Sequence, residues 1–245
     1  MKKRNFVLAC IVVIAAASAT KCDRQRFPGL PASFNDDWMF IRQDSANIDK
    51  ILPGIIPNHK WEEVSLPHTA FIEPLVIADK QWTGISWYKK LYRAPRGDHR
   101  HHTGLLFDGV MNDAIVYLNG AEIARHTGGY VPFYVDLTND LRFGKENEIL
   151  LRVDNRENPS IPPGKPLSEL DFLYYSGIYR NVSLFVSDKL HITAVPEVDT
   201  LMGGGVITGF RDVSEDAATV IVSVMVRNDD RTPRSFYLKN TLLDA

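Results

Sequence analysis

Cysteine is nearly absent from this chain: two residues in 245, Cys10 and Cys22. Cys10 sits inside an N-terminal apolar run and Cys22 just beyond it. If that run is removed on export, the mature protein keeps at most one thiol and has no internal disulfide, so its cores must hold by packing alone. A charge imbalance is also missing. The formal net charge is -2 with the two signs dispersed, which supplies no basic stripe for a nucleic acid partner. Long helical periods are absent, and so are long apolar stretches after residue 19. What composition remains, 44% hydrophobic and 24% charged, is that of a globular protein large enough for one or two cores.

The N-terminus reads as a targeting signal. Lys2, Lys3 and Arg4 precede the apolar segment Phe6 to Ala19, and Ala17-Ser18-Ala19 has the small residues of a cleavage site. The run is shorter than the roughly 20 apolar residues of a comfortable membrane span. The expectation is an exported protein, periplasmic or at a bacterial cell surface, with residues 1–22 as the signal and 23–33 as a linker. Cys22 stands where a lipoprotein signal would end, although Lys21 is a poor residue before such a cut. Simple secretion and a lipid anchor at Cys22 both stay open, and a membrane-spanning anchor is the weaker reading.

From Phe34 onward the chain has the punctuation of an all-β protein. Short segments rich in Val, Ile, Leu, Tyr and Phe, among them SWYKKLYRA, TGLLFDGV, AIVYLNG, YVPFYVDL, EILLRVDN, RNVSLFV, LHITAVPEV and ATVIVSVMVRN, are separated by Gly, Pro, Asn and Asp. Alternation is cleanest where Val220, Val222, Val224 and Val226 share one face, and where Ile149, Leu151 and Val153 do. Each strand is expected to bury one face, which implies packed sheets. Asn119-Gly120 between AIVYL and AEIA predicts a type I′ hairpin turn, because both residues tolerate positive φ. Gly128-Gly129 predicts a close approach, with Tyr130, Phe133 and Tyr134 filling the space.

Other patterns carry less. HRHH at His99 to His102 is expected in an exposed turn without a partner cluster, so no metal site is assigned. Glu62-Glu63 reads as a solvated strand edge, and the triple glycine at Gly203 lacks the features of a phosphate loop. The proline-rich stretch from Asn158 to Asp171 cannot join a sheet ladder and reads as a semi-rigid connection.

The run from Asp108 to Asn155 followed by YYSGIYRNVSL, preceded by FNDDWMF, VSLPHT and GISWYKKLY in that order, resembles the N-terminal sugar-binding region of glycoside hydrolase family 2. The resemblance implies a jelly-roll β-sandwich of the galactose-binding-domain type over 34–188, followed by an immunoglobulin-like β-sandwich. In that family the chemistry belongs to a later (β/α) barrel. Only 57 residues follow Asp188 against roughly 100 in an immunoglobulin-like domain, so 189–245 is expected to be a partial copy. Retaining glycosidases need two carboxyl groups about 5 Å apart, which the family carries on the barrel. No catalytic residue and no cofactor is therefore assigned here, and the chain alone is expected to be inactive.

The same resemblance, closest to bacterial β-galactosidases, implies a carbohydrate partner, a terminal β-linked sugar with galactosides favoured. Oligomeric state is left open. Asp171, ahead of the motif Ser176-Gly177-Ile178-Tyr179-Arg180, matches an acidic residue that reaches sugar hydroxyls in those relatives. The competing reading is a loop carboxylate that accepts nearby backbone amides. Gln81 falls where the relatives have asparagine and keeps the amide, while Trp82 beside it offers a face for a sugar ring; the bland reading of both is exposed loop. Arg180 is expected to brace the turn through carboxylate or carbonyl acceptors. The competing assignments are a free-standing carbohydrate-binding module and a fragment without a ligand.

Overall fold

A computed structural model describes residues 31–43, 61–70, 82–170, 172, 174–198 and 203–241. Residues 1–22, read in the sequence as an export signal ending at Cys22, and Gln81 and Asp171 lie outside these residues. No helix among the described residues is long and apolar enough to cross a membrane.

Two antiparallel sheets face each other. The larger has six strands in the order β3 (Glu62–Val64), β2 (Trp38–Arg42), β4 (Ile85–Arg93), β9 (Glu146–Asp154), β6 (Asp113–Leu118) and β7 (Ala121–Thr127). The smaller has β1 (Ala32–Ser33), β10 (Val182–Ser187), β5 (His102–Phe107) and β8 (Phe133–Asp136). Between them one core joins Phe40, Tyr88, Leu151 and Val116 of the first sheet to Leu105, Phe107, Val135 and Leu184 of the second. This is the all-β sandwich that the alternating segments imply, because apolar side chains at every second position can leave water only against another sheet.

Strands β4 and β9 bury both faces. Ile85, Trp87 and Leu150 form a second cluster on the outer side of the large sheet, packed with Ile41, Trp61 and Tyr117. The expected Asn119-Gly120 turn joins β6 to β7 with φ of 53° and 86°, and Glu62-Glu63 is exposed on the edge strand β3.

Several expectations need correction. On the side where a side chain would project, Gly129 meets Met111 rather than an aromatic ring: a Cβ there would stand 2.1 Å from the Met111 sulfur, whereas Gly128 is required for its φ of 124°. The segment from Leu190 divides into β11 (Leu190–Ile192) and a 3-10 turn at Val195–Glu197. The valine alternation breaks at Met225. Val220, Val222 and Val224 lie in β13 (Thr219–Val224), paired with β12 (Val206–Arg211), while Val226 belongs to β14 (Val226–Asn228), paired with β11. Neither face of the β12–β13 hairpin is covered by the described residues, and Val220 and Val222 remain 37% exposed. The proline-rich connection contains a 3-10 turn at Leu167–Glu169. His102 is not in an exposed loop. It is the first residue of β5, 1% exposed, and has partners across the chain.

Candidate functional site at the loop end of the sandwich

Three strands of the large sheet end together. Asp154 at the end of β9 is in register with both Ile85 at the start of β4 and Asp113 at the start of β6. Beyond these ends the chain turns away, and a cleft of about 290 Å³ opens between Asn112, Asp113, Asp154, Arg156, Glu157 and Asn158, floored by Ile161.

The loop that precedes β4 is fixed by one buried side chain. Asn155 Oδ1 accepts the Gly84 amide at 2.8 Å, and its Nδ2 donates to the Trp82 carbonyl at 3.1 Å. The Asn155 amide in turn donates to the Gly84 carbonyl at 3.1 Å. Such a clamp satisfies buried backbone groups that have no strand to pair with. Trp82 is thereby folded back over Gly84 and packs against the main core, half-buried. One face of its ring is committed to the protein.

The segment that follows position 171 is held at several points. Asn112 Nδ2 donates to the Tyr174 hydroxyl at 2.6 Å, and burial, then the neighbouring Tyr130, push that phenol up to about 12. Met111 N–H donates to the Gly177 carbonyl at 2.9 Å and His68 N–H to the Ile178 carbonyl at 2.8 Å. Thr69 and Ser176 satisfy each other: the Ser176 amide donates to Thr69 Oγ1, and the Ala70 amide donates to Ser176 Oγ, each at 3.1 Å. Tyr88 places its hydroxyl 2.8 Å from His68 Nδ1. Burial lowers the His68 pKa, with Glu62 opposing, which favours the neutral ring that can accept from Tyr88. Tyr179 donates to the Gly129 carbonyl at 2.6 Å. Arg180, read in sequence as a fork onto oxygen acceptors, lies over the Tyr179 ring at 5.3 Å.

The rim of this region carries aromatics, among them Tyr130, which the sequence placed in the packed space at Gly128-Gly129. Tyr175 stacks on Tyr179 with ring centroids 6.2 Å apart and planes 7° apart, and Tyr130 and Tyr175 are exposed. These tyrosines are visible in GGYVPFY and YYSGIY, but alternation cannot distinguish a rim tyrosine from a core one.

The cleft is rich in acceptors, and its carboxylates have structural tasks. Burial tends to raise the Asp154 pKa, but hydrogen bonds from the Arg156 side chain and amide, with Arg152 adding charge, hold it below its ordinary value. Glu157 accepts the Leu167 amide at 2.7 Å and so ties down the proline-rich loop, and Asp113 accepts from Thr127 at 3.1 Å. An ionised carboxylate with a lowered pKa is an acceptor and not a general acid. Such a cleft suits hydroxyl recognition better than proton transfer.

Residues 31–188 match the family model for the sugar-binding domain of family 2 glycosyl hydrolases. The chain belongs to that family. Its relatives include a β-glucuronidase from Formosa agariphila, 31% identical over 86% of this chain, and a β-galactosidase from Thermoanaerobacter pseudethanolicus, 34% identical over 66% of it. A solved β-glucuronidase from Bacteroides uniformis superposes with a TM-score of 0.69 at 26% identity, covering 82% of this chain and 22% of that one. The chain spans 22% of the length of each of the two sequence relatives.

Proposed function

We propose that this chain is the exported, non-catalytic front of a family 2 exo-glycosidase of the β-galactosidase type, which supports a barrel and lends it sugar contacts from the loop end. The observation that carries the reading is the acceptor-rich cleft beside the pinned 174–180 segment. Asp113, Asp154 and Glu157 outnumber Arg156 there, and Asp154 already engages that arginine. Neutral sugar hydroxyls can donate to such a surface, whereas the carboxylate of a uronic acid would meet like charge. Asp171, carried by the loop that enters this segment, is proposed to accept sugar hydroxyls, with Gln81 and Trp82 as flanking contacts. Export rests on the basic, apolar and small-residue order of positions 2–19, and a lipid at Cys22 would add a membrane anchor.

The test joins this chain to a family 2 barrel and compares 4-nitrophenyl β-galactoside with the β-glucuronide. The expected result is preference for the galactoside, at least tenfold loss of kcat/KM in Asp171→Ala with folding intact, and no turnover by the 245-residue chain alone. Preference for the glucuronide would overturn the specificity, and an unaffected Asp171→Ala would overturn the contact. Binding of free galactosides by the isolated chain with micromolar affinity would favour the alternative of a free-standing carbohydrate-binding module.

A further inference from the structure

Away from the loop end, two histidines meet where the segment after the sandwich folds back on it. His102 of β5 and His191 of β11 stack with ring centroids 4.5 Å apart and planes 21° apart. Around them stand Tyr134 and Asp136 from β8, Glu197 from the 195–197 turn, Arg227 from β14 and Asp229 just after it.

The partners assign the protons. His191 Nε2 lies 3.0 Å from Glu197 Oε1 and its Nδ1 lies 3.3 Å from the Lys189 carbonyl. Both partners only accept, so both ring nitrogens must donate and the ring is an imidazolium. His102 hydrogen-bonds hydroxyls instead, Tyr134 Oη at 2.9 Å from Nε2 and Thr138 Oγ1 at 3.3 Å from Nδ1, with the Glu197 carboxylate farther off at 3.6 Å from Nε2. Hydroxyls donate or accept, so a neutral ring is satisfied, and a second positive charge in the stack would face the first one almost in contact. Asp229 Oδ2 comes within 3.2 Å of His102 Nδ1 but lacks the alignment of a hydrogen bond.

His102, His191 and Asp229 have donor atoms within 4.8 Å of one another, close enough for a shared metal ion. Stacked rings do not aim their in-plane lone pairs at one point, however, and Arg227 already supplies a cation to both carboxylates, at 2.7 Å from Asp229 and 3.5 Å from Glu197.

We propose that His102 and His191 form a one-proton latch that fastens the segments 189–197 and 226–229 to the sandwich only while His191 is charged and His102 is neutral. Directions of titration agree with the geometry. Burial opposes charging of His191 but Glu197 outweighs it, so its pKa rises above 6.5, while burial lowers that of His102. The His191 contribution is fully present below the unfolded value and is lost as pH rises through the raised folded value. The His102 contribution is present above the unfolded value and is lost as pH falls toward the lowered folded one. The latch is therefore tightest near pH 6.5 and loosens on both sides.

Hydrogen exchange of the full chain, corrected for intrinsic exchange rates, tests this together with side-chain ¹⁵N NMR of the histidines. The opening constant of Leu190–Ile192 is expected to rise by up to tenfold per pH unit on either limb, with β9 unchanged. His191→Gln should abolish the alkaline limb and His102→Gln the acid limb. In the NMR titration His191 should stay doubly protonated above pH 6.5 and His102 should lose its charge below it. Histidines that titrate together near 6.5, protection that is flat with pH, or variants that keep both limbs would each overturn the latch. Should a variant fail to fold, the wild-type titration decides.

Discussion

The hydroxyl of Tyr88 occupies the space that any side chain on Gly177 would need, since a Cβ there would stand 2.0 Å from it. Gly177 also has a φ of 77°, so a side chain would be strained even with room available. Both constraints come from one requirement: the backbone at Gly177 has to pass over Tyr88 of β4, whose hydroxyl reaches His68. Gly177→Ala should therefore cost about 2–5 kcal/mol. Adding Tyr88→Phe should recover part of that loss, because removing the hydroxyl opens the space, whereas Tyr88→Phe alone should cost about 1–2 kcal/mol for the bond lost to His68. Urea denaturation of the two single variants and the double variant measures the coupling.

Gly129 and Met111 form a similar pair at the other side of the segment. Met111 is 2% exposed and has little room to move when a side chain appears at position 129. Gly129→Val is expected to destabilise by about 2–3 kcal/mol, while Asp171→Ala leaves the melting temperature nearly unchanged. Equal melting shifts for the two would contradict the separation of framework from sugar contact.

Asn155 links stability to the proposed sugar surface. Asn155→Ala leaves the Gly84 amide and the Trp82 carbonyl without partners, at a cost of about 1–3 kcal/mol, and frees the loop that carries Gln81 and Trp82. Trp82 fluorescence should shift to the red and become more accessible to acrylamide. An unshifted spectrum would show that core packing, and not the clamp, fixes that loop.

Acid should act on the cleft through Asp154. Its carboxyl titrates below the ordinary 3.8, so its contribution is present above that value and is lost as pH falls through the lower folded one. Asp154→Asn should flatten the stability profile below pH 4, as followed by circular dichroism. The exposed pair of Glu122 and Arg125, 2.6 Å apart on edge strand β7, serves as a control: Glu122→Gln should leave the melting temperature unchanged, because water screens such pairs.

The sequence determined the all-β architecture, the hairpin at Asn119-Gly120, the edge position of Glu62-Glu63 and the family. These depend on local alternation, turn chemistry and motif order, which are written along the chain. Only the tertiary structure decided which partner each special residue meets. Met111 rather than an aromatic meets Gly129 on the side where a side chain would project, Trp82 lies back on the core, and Asn155 locks the loop before β4, because each contact joins residues far apart in sequence. The valine alternation of 220–226 carries no signal that the chain breaks at Met225 and gives its two parts to different sheets. His102 shows the difference most clearly. Four residues of histidine and arginine look like a solvated turn when read alone, yet the first residue of β5 enters the interior, and its surroundings come from β8, β11, β14 and the 195–197 turn. Local pattern sets which elements form, but burial and protonation follow from what folding brings alongside them.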